Sequence, residues 1–395
     1  MSAPAAALAA RPPLVVLVAV SALQPFAINV LAPATPGLAR SLATDYATVQ
    51  LTLTLYLVTV AATQLVVGPI SDRIGRRPCI LAGIGLFGVG SLLGALAESI
   101  ETLLLARVVQ AAGGGTCFAL ARAVVRDTAS RDRAASMLGY LTMAMVVAPM
   151  VAPLVGGFLD RHFGWRSIFL VMVALAAAVA AAAAALLHET AARHEGAGLA
   201  SLFRGYPDLL RNRSFLGYTL ALSSTTAAFF AFVAGAPFVV VEVMGASPDV
   251  YGVYFLFNAG TYMVGNFLTG RFGQRIGSER LTRYGLYLSV ASGVSAVLCM
   301  LVLPWTPAAL FLPLMLNGIG NGLTVPGGTA AALSVRPDLA GTAAGLVGAT
   351  QLGLGALAAV IVGSLVTLAP AALVWGILTC ILLGWIALAT LVGRR

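Results

Sequence analysis

Twelve stretches, each long enough to cross a bilayer and each nearly free of charge, follow one another along the chain. They fall roughly at 13–35, 47–70, 78–98, 103–125, 135–158 and 166–188 and, after a polar connector, at 214–237, 250–271, 281–303, 308–331, 340–363 and 370–392. A helix of ~20 apolar residues spans the hydrocarbon core and pairs its own backbone groups, which lipid cannot do for it. With 59% hydrophobic and only 9% charged residues, the chain carries more apolar surface than a water-exposed domain can hide. The expectation is an all-α membrane protein of twelve transmembrane helices.

The charges sort by side. All 23 basic residues are arginine. With alternate connections on one face, 19 of the 23 lie together with both termini, while Arg40, Arg161 and Arg166 lie opposite and Arg107 falls within a span. Positive charge marks the cytoplasmic face, so both termini are expected there, in a multi-pass protein of the bacterial inner membrane. The formal net charge of +9 is spread over short connections and forms no single basic face, which argues against nucleic acid as a partner. Cys79, Cys117, Cys299 and Cys380 lie singly in apolar stretches and suggest neither disulfides nor a metal. Residues 1–12 read as an uncleaved tail, because their small residues precede the apolar run.

Between the second and third runs stands Gly68-Pro69-Ile70-Ser71-Asp72-Arg73-Ile74-Gly75-Arg76-Arg77-Pro78. Gly68 and Gly75 permit close approach or positive φ, and Pro78 suits a first helical turn. The pattern returns after the eighth run as Gly270-Arg271-Phe272-Gly273-Gln274-Arg275-Ile276-Gly277, 202 residues on, with Gln274 in place of Asp72. The repeat predicts two six-helix bundles, 13–188 and 214–392, joined by a cytoplasmic linker at 189–213 and flanked by the tail 1–12 and the C-terminus 393–395. Asp72 can neutralise the positive N-terminus of a facing helix, or pair with Arg73 or Arg76 at the surface.

Further motifs lie inside the spans. Arg107 and Gln110 share one face of the fourth, followed by Gly113-Gly114-Gly115. An arginine within the bilayer costs ~2.5–3.5 kcal/mol on insertion scales. It therefore faces a cavity, the favoured reading, or reaches back to the nearer interface. In the fifth span Pro149 and Pro153 free carbonyls and kink the helix, while Gly156 and Gly157 admit a close neighbour. Gly83-Ile84-Gly85-Leu86-Phe87-Gly88 spells a dinucleotide fingerprint, but no strand precedes it and helix packing explains it.

These motifs are joined by Arg122-Ala123-Val124-Val125-Arg126-Asp127, Gly235-Ala236-Pro237-Phe238 and Ala340-Gly341-Thr342-Ala343-Ala344-Gly345. With Pro25-Phe26-Ala27-Ile28-Asn29-Val30-Leu31-Ala32-Pro33 they resemble the major facilitator superfamily over nearly the whole chain. Within it they look like the Bcr/CflA (bicyclomycin/chloramphenicol resistance) drug exporters. The resemblance implies the major facilitator fold, with a site near the midplane between the bundles. It also implies export of small amphiphilic drugs or antibiotics by alternating access with proton antiport. Export or facilitated diffusion of a single metabolite, such as an amino acid or nucleoside, is the other transport reading. Gly68, Asp72, Arg73, Gly75, Arg76 and Arg77 would form a gating loop, Asp72 latching near Gly341 and Thr342 or on Arg126. Pro149, Pro153, Gly156 and Gly157 would mark an exporter. One departure stands out: the family usually has an aspartate four residues before the first-span proline, and here that residue is Asn29.

Polar residues also recur at helical spacing: Thr52, Tyr56, Thr59 and Thr63; Tyr251, Tyr254, Asn258 and Tyr262; Asn317, Asn321 and Thr324. Each set either bonds a neighbouring helix or lines a cavity. The expected cavity holds Asn29, Tyr56, Met143, Phe229, Phe232, Tyr254, Asn258, Tyr262, Asn317 and Asn321, beside Arg107 and Gln110. An amide cannot lose and regain a proton as a carboxylate does, so Asn29 predicts weak coupling. Glu242 is then the best remaining carboxylate, unless it is an ordinary loop residue. No cofactor is expected. The expected partners are a small-molecule substrate, membrane lipids and protons, acting on a monomer. No His-Glu-x-x-His, Gly-x-Ser-x-Gly or paired acids in the spans point to an enzyme.

Overall fold

The computed structural model describes residues 13–128, 131–190, 206–336 and 339–392; the side chains of residues 65, 69, 72, 126, 128, 131–146, 206, 274 and 340–342 are outside that description. Long helices follow the apolar runs: α1 (Leu14–Val30), α2 (Tyr46–Ile74), α3 (Arg76–Ala95), α4 (Ile100–Thr128), α5 (Arg131–Phe163) and α6 (Arg166–Leu186). The second half gives α7 (Arg213–Phe238), α8 (Pro248–Ile276), α9 (Ser278–Val302), α10 (Pro307–Ser334), α11 (Ala340–Leu365) and α12 (Ala372–Leu391). Among the described residues, ten helical segments are long and apolar enough to cross a membrane. α5 and α8, at the expected fifth and eighth spans, are not among them. In α8 the amides and hydroxyls of Tyr251, Tyr254, Asn258, Tyr262 and Asn266 dilute the apolar run, and the side chains of α5 are described only from Val147 onward.

Helix ends follow local chemistry. Asp45 caps α2 by accepting from Thr48 N at 2.7 Å, and Thr306 caps α10 ahead of Pro307. That bond from the Thr48 backbone holds the Asp45 carboxyl below its ordinary value. Asn212 caps α7 by accepting from Phe215 N at 3.1 Å. The α2–α3 and α8–α9 connections each turn on a single glycine, Gly75 at φ +113° and Gly277 at φ +86°, a region that side chains resist.

The neighbours repeat. In the first half α1 packs on α4, α5 and α6, α4 on α2 and α3, and α3 on α6. In the second, α7 packs on α10, α11 and α12, α10 on α8 and α9, and α9 on α12. The halves meet through the equivalent pairs α5–α8 and α2–α11. Glycines set how closely helices approach within a half. Gly83 lies against the Gly113 carbonyl, so the fingerprint-like glycines serve α3–α4 packing.

Candidate functional site

A cavity of about 310 Å³ lies between the halves, near the lower end of the ~300–1,000 Å³ range of small-molecule sites. One wall is amide-rich: Gln24 and Asn29 of α1, Asn258 and Tyr262 of α8, Asn317 and Asn321 of α10, and Gln351 of α11. The other is aromatic, with Phe229, Phe230 and Phe232 of α7 and Phe255 of α8. Phe232 stacks on Phe255 at 6.1 Å between centroids and meets Phe311 edge-on at 5.4 Å. Among the described residues, none that lines the cavity is charged. The side-chain oxygens of Gln24, Asn29, Asn258, Asn317 and Asn321 are buried and have no hydrogen-bond partner within the described protein. Buried polar atoms are almost always satisfied, so these five are suited to a ligand or to water.

The expected residues divide by azimuth. Asn29, Phe229, Phe232, Asn258, Tyr262, Asn317 and Asn321 line the cavity, as does Pro149 of α5. Tyr254 packs on Phe311 at 5.1 Å, off the lining. Met143 is outside the described side chains. Tyr56 is fully buried, its ring 4.2 Å from the Arg107 guanidinium carbon. Arg107 and Gln110 do not line the cavity. They sit inside the first bundle, where Arg107 donates to Thr52 O at 3.4 Å, to Ala27 O at 3.2 Å and to Gln110 Oε1. Gln110 in turn donates to Ser91 Oγ at 2.8 Å. A desolvated guanidinium needs acceptors on several sides, and the backbones of α1 and α2 supply them there. Gln24, Thr225, Thr226, Phe230 and Gln351 were missed; Gln351 is the one amide in the Gly/Ala-rich α11, a signal that was available.

At the arginine-poor end the halves are closed on each other. Arg40 pairs with Glu242, Arg161 with Asp249 at 2.6 Å, and Tyr46 donates to Ala234 O at 2.5 Å. Glu242 lies in the turn after α7, at this seam and off the cavity lining. A Cβ on Gly157 would come 2.6 Å from Pro248 O, and one on Gly252 would come 2.7 Å from Pro153 O. A Cβ on Gly156 would collide with the Val30 carbonyl of α1. The paired glycines thus serve the α1 and α8 contacts of α5, and Gly157 faces the other half.

The arginine-rich end is organised around the α2–α3 turn. Glu189 accepts from Arg76 N at 2.8 Å and Arg77 N at 3.2 Å, capping α3. Arg76 Nε donates to Asp127 at 2.9 Å, and Arg77 donates to Leu187 O at 2.8 Å and Ala184 O at 2.9 Å. Arg73 is exposed, and Gly68 sits within α2 with open space where a Cβ would go, so neither reason expected for a glycine applies at 68. The side chains of Asp72, Arg126, Gln274, Gly341 and Thr342, on which the latch depends, are outside the described residues. A smaller cavity of about 180 Å³ lies nearer this end, lined by Gln64, Phe118 and Arg122 among others. Among the described residues, no group of three or more His, Cys, Asp or Glu could hold a metal.

Like-for-like halves, a central cavity between them and a seam closed at one end define a membrane transporter architecture. The chain belongs to the Major Facilitator Superfamily, whose family model matches residues 17–360. It is a multi-pass protein of the bacterial inner membrane. It is 28% identical to the bicyclomycin resistance protein homolog of Haemophilus influenzae, over 95% of this chain and 94% of the relative. It is 32% identical to the chloramphenicol resistance protein of Pseudomonas aeruginosa, over 90% of this chain and 84% of the relative. A solved bacterial homolog of the human lysosomal transporter Spinster, inward-facing and unoccupied, shares the fold at TM-score 0.69 and 16% identity, covering 95% of this chain and 94% of that one.

Proposed function

We propose that the chain exports small uncharged or zwitterionic amphiphiles of antibiotic type by alternating access of its two bundles, 13–188 and 214–392. The observation that carries this reading is the cavity of about 310 Å³ whose described lining has no charged side chain and faces unpaired amide oxygens with phenylalanines. A ring with several hydrogen-bonding groups satisfies both walls. A cation would shed its water and find no carboxylate among the lining residues, a costly exchange. The relatives named for bicyclomycin and chloramphenicol resistance support the same ligand class. The arginine-poor seam is then the outer gate, shut here, and the 68–77 turn with Asp72 is the cytoplasmic latch.

Coupling to protons is weak in this reading, because the cavity position Asn29 is an amide and Glu242 is paired at the seam. The test is a susceptibility panel in an efflux-deficient host, followed by vesicles with an imposed pH gradient. Wild type should protect against neutral amphenicol-type compounds and not against ethidium, and Asn29→Asp should add ethidium handling. Robust proton-driven ethidium efflux by the wild type, insensitive to Glu242→Gln, would sink the reading.

A further inference from the structure

The closed seam at the arginine-poor end contains a carboxylate that the ion pairs there leave out. Gly157, Asp160 and Arg161 share one face of α5, the face on which Gly157 meets Pro248 of the other half. Arg161 reaches across to Asp249 at 2.6 Å, and Arg40, from the connection before α2, reaches across to Glu242. Asp160 takes part in none of the described ion pairs. Its side chain is half-buried and lies against Gly37, where an added Cβ would come 3.6 Å from Oδ2. Two residues beyond the expected fifth span, burial pushes this carboxyl up to about 6, and the Arg40 charge opposes the shift without cancelling it.

Arg40 thus serves two acids, Glu242 of the other half and Asp160 of its own. Asp249 also faces this end of α5. Burial would raise its carboxyl, but bonds from Ser247 and Arg161 outweigh that and hold it below its ordinary value. It therefore keeps its charge where Asp160 changes. The other groups here are His162 on α5, exposed and with Nδ1 2.9 Å from Phe158 O, Arg166 on α6, donating to Ala97 O at 2.8 Å, and the exposed Glu101 on α4. We propose that Asp160 is a proton-operated catch for this seam. Protonated, it leaves Arg40 to Glu242 and the halves stay joined. Ionised, it regains water as the seam parts and draws Arg40 back toward its own half. Closing takes up a proton, so closure is favoured as pH falls through about 6 and loosened above it. Asp160 lies off the cavity lining, so the catch regulates opening and carries no proton past the substrate. Resting on the reading of this seam as the outer gate, acidity outside the cell then holds the exporter shut.

The test is hydrogen–deuterium exchange of the full-length protein in a neutral detergent at pH 5 and pH 7, with rates corrected for the intrinsic pH dependence of exchange. With the carboxyl at about 6 in the closed seam and at its ordinary 3.8 in the open one, segments 32–45 and 244–252 should be protected roughly tenfold more at pH 5. Asp160→Asn, close in shape and uncharged, should show the pH 5 protection at both values. Gly37→Ala sets a methyl in ordinary contact with the carboxylate, removes water from it and should move the midpoint upward. Asp249→Asn should weaken protection at both values and keep the pH response. A pH response that survives Asp160→Asn would assign the titration to His162 or another group and overturn the proposal. So would equal protection of the wild type at pH 5 and pH 7. No transport substrate and no membrane sidedness enter the measurement, so its outcome is separate from the drug-export and outer-gate readings.

Discussion

The α2–α3 turn and its repeat, α8–α9, share a backbone shape but not a setting. Gly75 and Gly277 stand 202 residues apart and both hold positive φ. Around Gly75 the chain is fastened to the rest of its half, with Glu189 capping α3 and Arg76 and Arg77 reaching α4 and the end of α6. A Cβ on Gly75 would strike the Glu189 carboxylate, whereas one on Gly277 would meet nothing within 4 Å. The second turn's neighbourhood shows the local pair Arg283–Glu279 at 2.7 Å. The turn recurs in both halves, and the cross-ties described above are those of the first copy. The cavity shows the reverse bias: most of its lining, including every phenylalanine, comes from the second half. One half is braced, and the other supplies most of the described cavity lining.

Substitutions can break or sharpen that contrast. The largest effect is expected for Gly75→Ala, which adds a strain of ~1–3 kcal/mol at its φ and displaces Glu189 from the α3 cap. Gly277→Ala should cost only the strain, so the Tm of purified protein should fall further for Gly75→Ala; equal losses would mean the ties are incidental. Next comes Gly157→Leu, which should leave protein inserted but inactive or leaky in efflux assays. Gly363→Leu meets the Gln50 side chain, which can move, where Gly157→Leu meets Pro248 backbone, which cannot. The milder phenotype is therefore expected at 363. Asp72→Asn should depress transport of every substrate alike while binding persists, and selective loss of one substrate would count against a latch. Its repeat partner Gln274→Ala should be nearly silent. The smallest shift is for single cavity amides: Asn258→Ala or Asn321→Ala should raise KM by up to about tenfold, for one hydrogen bond of ~1 kcal/mol or slightly more, without lowering Tm. An unchanged KM in both would move recognition away from the second half.

Much of this was legible in one dimension. Gly75 and Gly277 announced themselves by register, and Asn258 with Tyr262, or Asn317 with Asn321, by helical spacing. Arg107 shows where such reading stops. Spacing put it inside a span, but position along a helix does not fix azimuth, and the carbonyls of Ala27 and Thr52 hold it within its own bundle. Glu189 was invisible for another reason: its partners Arg76 and Arg77 lie 113 and 112 residues away, beyond any local pattern. The same stripe that made α8 recognisable as a cavity helix dilutes its apolar run.

The glycine contacts between α5 and α8 carry a kinetic consequence. Where Gly157 and Gly252 let main chain touch main chain, no side chain stands between the helices to change rotamer and fill a partial gap. Surfaces of that kind fit at one separation only, and packed interfaces tend to be bistable rather than continuously deformable. Opening there should cross a single barrier, with no ladder of half-open states, and dwell times in either posture should follow one exponential.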